Sequence, residues 1–187
     1  MNLIERVKNI LITPKTEWDV INGETATPQS ILMSYVLPLS VVSAVGPILN
    51  GLLFAGTLGL KYFIVIAVIG LIVSAVAFYV SAIVVDMLAP SFGSEKNLGK
   101  SAQLIAYSST PSYIAGLLSF IPVIGWILPF AAWAYGIYLM YLGIGPIKKT
   151  PEDKKIVYMI VAYVIMIAIS LILSAILTGV LIAALVH

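Results

Sequence analysis

The sequence predicts an all-α integral membrane protein: a bundle of five transmembrane helices with short amphipathic helices before it. Three observations carry this. Of 187 residues, 61% are hydrophobic and 10% charged, against about a quarter charged in a soluble domain, and the mean hydropathy is +1.09. The apolar residues form uncharged runs long enough to cross a bilayer, which takes about 20 residues at 1.5 Å each. The basic residues gather at alternate ends of those runs. So apolar a chain excludes a cytosolic enzyme or a nucleic-acid binder, and a net charge of +2 is too small to hold a polyanion. With no cysteine, disulfides, thiolate catalysis and Cys-ligated metals are excluded.

The runs place the spans near 31–57, 62–88, 100–120, 124–145 and 153–185, after an interfacial segment over 1–30. The long run from Ser101 to Ile147 is divided at 119–126, where Pro122, Gly125 and Trp126 read as a tight turn between antiparallel helices. The alternative is four spans, with 101–147 as one bent helix plus a re-entrant piece. Orientation follows from the short loops. The N-terminal segment, the 89–100 loop and the 146–155 loop hold nine of the Lys and Arg residues, and Lys61 stands alone on the other side. This predicts a multi-pass cell-membrane (inner or plasma membrane) protein with its N-terminus cytoplasmic and His187 outside. The first apolar run is too long for a cleaved signal peptide, and no internal repeat supports an inverted-repeat transporter.

Residues 1–12 read as an interfacial helix, with Leu3, Ile4, Val7, Ile10 and Leu11 on one face and Arg6 and Lys8 turned to anionic headgroups. Thr13-Pro14 opens a second short helix with Thr as N-cap, Trp18 and Ile21 share a face, and Asn22-Gly23 closes it. Thr150-Pro151-Glu152-Asp153 repeats that opening for the last span. Gly93 to Ser101 has five residues between its glycines and follows a membrane helix, so it is no phosphate-binding loop, and no nucleotide is expected.

Asp86 is the one carboxylate within reach of the hydrocarbon, where a charge at mid-helix costs about 3 kcal/mol and less near the end. Tyr79, Ala82 and Asp86 share a face of the second span, and Gln103, Tyr107 and Thr110 share one on the third, so the two polar stripes should face each other. The structural reading is an interhelical clasp in which Asp86 accepts from Tyr107, Gln103 or a loop amide. The functional reading is a polar vestibule for a cation or proton. The clasp is preferred, because one carboxylate without a second acid or a His makes a poor metal site or relay. His187, the lone histidine, is predicted at the opposite end, so no metal or other cofactor is expected.

Thr110-Pro111 breaks the third span, with Ser108, Ser109 and Thr110 placed to satisfy the freed carbonyls. On the fifth span Ser170, Ser174 and Thr178, beside Ala175, Gly179 and Ala183, make a small-residue packing face within the bundle or across a homodimer. Trp126, Trp133, Tyr138, Tyr141 and Tyr158 read as aromatic belts.

Pro14 and Trp18, Leu37-Pro38-Leu39, Asp86 with Ala89-Pro90 and Phe92-Gly93, and Ala106-Tyr107-Ser108-Ser109-Thr110-Pro111 together resemble the Yip family of Rab-GTPase-interacting membrane proteins. Ile121-Pro122, Tyr138 with Gly143, and the Lys-rich turn 148–155 continue the likeness over roughly residues 10–185. The resemblance implies five membrane helices, a cytoplasmic N-terminus and no catalytic motif. Eukaryotic members carry a long soluble N-terminal region and act through Rab GTPases. With about thirty residues before its first span, this chain looks like the prokaryotic branch, and Rab binding is not carried over. The expectation is a non-enzymatic protein that organises the lipid bilayer, partner membrane proteins or copies of itself. The alternative is a small transporter or channel using Asp86, Gln103, Tyr107 and the Pro111 kink, and a membrane-embedded enzyme ranks third for want of a second acid.

Overall fold

The computed structural model describes residues 2–54 and 56–186, with side chains throughout except at 56–61, 173–174 and 176–186. The described residues are helical with short turns between them, and none is in a strand. The order is α1 (Leu3–Ile12), α2 (Pro14–Asn22), α3 (Pro28–Phe54), α4 (Gly56–Leu88), α5 (Leu98–Ser108), α6 (Thr110–Leu117), α7 (Ile124–Lys148) and α8 (Lys155–Val186). Short 3₁₀ turns follow α4 (Ala89–Phe92) and α6 (Leu118–Phe120). Four stretches among the described residues are long and apolar enough to cross a membrane: Pro28–Phe54, Tyr62–Phe92, Ile124–Lys148 and Lys155–Ile172. The protein is an all-α membrane bundle.

Prolines shape the helices that position the polar residues. Pro38 lacks an N–H, and its ring crowds the Ser34 carbonyl four residues back. The chain accommodates it with a π turn over Leu32–Val36, in which the Leu37 N–H reaches the Leu32 carbonyl. Pro111 sits in the first turn of α6, so the expected third span, 100–120, is two helices meeting at Ser109. Two of the three hydroxyls expected to serve the break do so: Ser109 donates to Ile105 O at 2.8 Å and Thr110 to Tyr107 O at 2.7 Å. The Ser108 hydroxyl is buried without a partner.

Helix α3 packs along α4 and crosses α6, which in turn lies against α7. The crossing is close because two glycines meet there. A Cβ on Gly46 would stand 2.0 Å from the Gly116 carbonyl, and one on Gly116 only 1.9 Å from Ser43 Oγ. A small-residue contact of the kind expected on the last span is thus found between α3 and α6. On α8, Ser170 and Ala175 are exposed, while the side chains of Ser174, Thr178, Gly179 and Ala183 lie outside the described set, as does His187.

Several local expectations are corrected. Arg6 does not face headgroups: it is 6% exposed, while Ile4 on the supposed apolar face is 80% exposed. Leu3, Val7, Ile10 and Leu11 do pack against the core, but Arg6 is buried among them, held by the ion pairs described below. Thr13 makes no side-chain cap on α2; its hydroxyl donates back to Asn9 O. Thr150 does not open α8, which begins at Lys155, because its hydroxyl is drawn to Ile144 O at 3.1 Å and residues 152–154 form a turn. Tyr158 is no belt residue. It is fully buried, stacked on Phe92, and its hydroxyl donates to Val85 O.

Candidate functional site: an ionic cap

Among the described residues, buried and paired charges gather in two clusters at one end of the bundle. The first surrounds Asp86 near the end of α4. Its Oδ1 accepts from the Asn97 N–H (2.7 Å), Ser101 Oγ (3.1 Å) and Lys148 Nζ (3.0 Å). Asn97 is the N-cap of α5, its side chain taking the Lys100 N–H, so the same turn that starts α5 delivers an amide to Asp86. Lys148, in the last turn of α7, has no solvent exposure. Its three N–H donors match three acceptors: Asp86, Ser101 Oγ at 2.7 Å and Asn97 O at 3.3 Å. Buried charge is tolerated only when paired and hydrogen-bonded in this way.

Around this pair the two basic loops are stitched together. Glu95 N–H donates to Lys148 O (2.8 Å), and Ser94 Oγ to Thr150 Oγ1 (2.9 Å). At the rim Lys149 pairs with Glu95 at 2.6 Å. That hydrogen bond and charge hold the Glu95 carboxyl below its ordinary range.

The second cluster fastens the N-terminal helices. The Arg6 guanidinium grips Glu17 and Glu24 with separate nitrogens and lies 5.2 Å over the Tyr107 ring. Tyr107 meets Trp18 and Tyr35 edge-on, at centroid distances of 6.3 and 4.7 Å. Tyr35, set by the π turn, hydrogen-bonds Thr110 Oγ1 at 2.7 Å. Lys100 Nζ donates to the carbonyls of Ile21, Asn22 and Glu24, closing the end of α2. Trp18 beds against Gly143, where a Cβ would stand 2.6 Å from its ring. Tyr35→Phe removes the Thr110 bond alone and should cost about 1 kcal/mol in a thermal unfolding series.

The expected residues are therefore distributed over both clusters. Asp86 uses a loop amide, Ser101 and Lys148, while Tyr107, Thr110 and the break at Pro111 belong to the Arg6 cluster. Gln103 is 1% exposed, and neither of its amide atoms has a partner. Sequence reasoning missed Lys148, Arg6, Glu17, Glu24, Tyr35 and Ser101. A signal existed for Arg6, which falls at i+3 from Leu3 and i−4 from Ile10, inside the apolar stripe. None existed for Lys148, one lysine of a basic turn. Among the described residues no group of three or more His, Asp or Glu is arranged to hold a metal.

Fold and cap together define a multi-pass α-helical membrane protein whose few charges close one end of the bundle. The family model of the Yip1 domain matches residues 8–186, and the chain belongs to that family. No curated protein and no solved structure matches the chain.

Proposed function

We propose that the protein works without catalysis, as a five-span scaffold that organises membrane or partner proteins, and that the ionic cap is its cytoplasmic face. The third crossing is α5 with α6, taken through the break at Ser109. The observation that supports this reading best is the occupancy of Asp86: Lys148 neutralises it from 3.0 Å and loop groups take the same oxygen. A carboxylate so engaged is a clasp between α4, α5 and α7, and a poor binding site for a second cation. Arg6 is likewise engaged by two glutamates. The outer surface of the cap presents the Lys149–Glu95 pair and Glu152, the exposed partner of Lys155, to other proteins.

The experiment is flux and stability measured on one variant. In reconstituted vesicles Asp86→Asn should leave a broad panel of ions and solutes without transport, as in the parent, and lower the thermal midpoint. Transport by the parent that Asp86→Asn alters would favour the transporter reading. Co-purification of the same membrane proteins with parent chain, reduced by charge reversal at Lys149 and Glu152, would support the scaffold.

A further inference from the structure

Helices α7 and α8 touch sparingly, and between them runs an apolar groove of about 580 Å³ walled by Tyr138, Tyr141, Met159, Ile160 and Tyr163. Trp133, Tyr163 and Ile167 also wall a second cavity of about 210 Å³, so the two spaces adjoin across these side chains. The second cavity has a different chemistry. Ser81 of α4, Ser108 of α5, Ser109 at the break, Ser112 of α6 and Ser170 of α8 converge on it. A further pocket of about 170 Å³ beyond Ser81 and Ser112 extends it toward Ser74.

A single serine in a membrane helix ordinarily returns its hydroxyl to the carbonyl four residues back, as Ser109 does. Ser108 does not: it is 6% exposed, lines this cavity and has no hydrogen-bond partner. A buried hydroxyl left unpaired carries an uncompensated desolvation cost, which a ligand's hydrogen bond would recover. Among the described residues no charged side chain lines groove or cavity. Ser170 lies 15 residues beyond Lys155, roughly 22 Å along α8 at the helical rise, within the apolar stretch of that helix. A phosphate brought there would be desolvated without a cation to meet it. An uncharged hydroxyl-bearing head carries no such penalty, and the adjoining groove offers its chain an apolar wall.

We propose that this composite cleft is a binding site for a neutral glycerolipid of the diacylglycerol type, its hydroxylated head among the serines and an acyl chain along α7 and α8. The site lies apart from the ionic cap and does not depend on the scaffold reading.

The test uses the full chain in phosphatidylcholine vesicles containing a diacylglycerol with a photoactivatable acyl chain, with cross-linked residues mapped by mass spectrometry. Labelling should saturate, fall within 133–167, and be displaced by unlabelled diacylglycerol but not by phosphatidylglycerol at the same mole fraction. The double variant Ser108→Ala with Ser112→Ala should weaken apparent affinity about fivefold, the size of one net hydrogen bond. Ile160→Trp alters a side chain that faces outward into the groove (58% exposed) and should abolish labelling even if the serine variant does not fold. Labelling that grows linearly with probe would mark ordinary boundary lipid and overturn the proposal. Equal displacement by phosphatidylglycerol, indifference to Ile160→Trp, or lipid-insensitive cross-links between two copies through the groove would do the same.

Discussion

Lys148→Met should destabilise the protein by about 3–5 kcal/mol, the range for removing one partner of a buried ion pair. The loss comes chiefly from what is left behind. Asp86 would remain 6% exposed, with only a neutral Ser101 hydroxyl and one amide for company. Asn97 O would lose a charged donor at the same time. Asp86→Asn is the converse, leaving Lys148 buried without a counter-charge. The double variant Asp86→Asn with Lys148→Met has no orphaned charge, and the neutral amide oxygen can still accept from Asn97 N–H. It should be more stable than Lys148→Met alone, so the two substitutions couple by about 2 kcal/mol. Thermal or denaturant unfolding of the four proteins in one detergent measures this. Additive effects, or a Lys148→Met loss below about 1 kcal/mol, would mean that the pair is not a clasp.

Gly143→Leu is the second large effect. Gly143 on α7 is the floor of the notch that receives Trp18, and a bare Cβ would already stand 2.6 Å from the indole and 2.8 Å from Leu104. Neither can retreat easily: Trp18 is 1% exposed and Leu104 fully buried. Overpacking ordinarily costs about 1–3 kcal/mol. Here the expected outcome is expulsion of Trp18, which raises the cost to about 3 kcal/mol or more, comparable to deleting a buried tryptophan. Displacing Trp18 also breaks its contact with Tyr107 and loosens the platform beneath Arg6. The N-terminal helices should then open locally while the spans persist. Limited trypsin digestion at Lys8 and Lys15 should speed up at least tenfold, with the bundle fragment intact. Unchanged cleavage would mean that α2 is not held by this notch.

Much of the frame was legible, because hydrocarbon imposes a length and apolar runs record it. The turn at 121–125 and the break at Thr110-Pro111 are written in proline and glycine, which act locally. The cap was legible only in part. That Asp86 needed a partner followed from its depth, but the partner lies 62 residues away, on a helix apolar around its whole circumference, where periodicity marks no inward face. Tyr107 and Gln103 were assigned to Asp86 because α4 and α5 are neighbours in sequence. The structure turns Tyr107 toward α1, α2 and α3 instead. The burial of Arg6 escaped notice because a charged residue within an apolar stripe was read as polar surface, and its partners Glu17 and Glu24 stood on other elements. Gly46 and Gly116 went unread for a related reason: a glycine states that something comes close, not what.

A cytoplasmic docking face requires that the cap and the turn before α7 stand on opposite sides of the membrane. The chain has no cysteine, so single cysteines report without background. Glu152, in the cap, and Trp126, at the start of α7, are each 82% exposed. In intact cells an impermeant maleimide should label Trp126→Cys at once and reach Glu152→Cys only after permeabilisation. Labelling of Glu152→Cys in intact cells, with Trp126→Cys protected, would contradict the orientation, and labelling of both from one side would contradict the crossing between them.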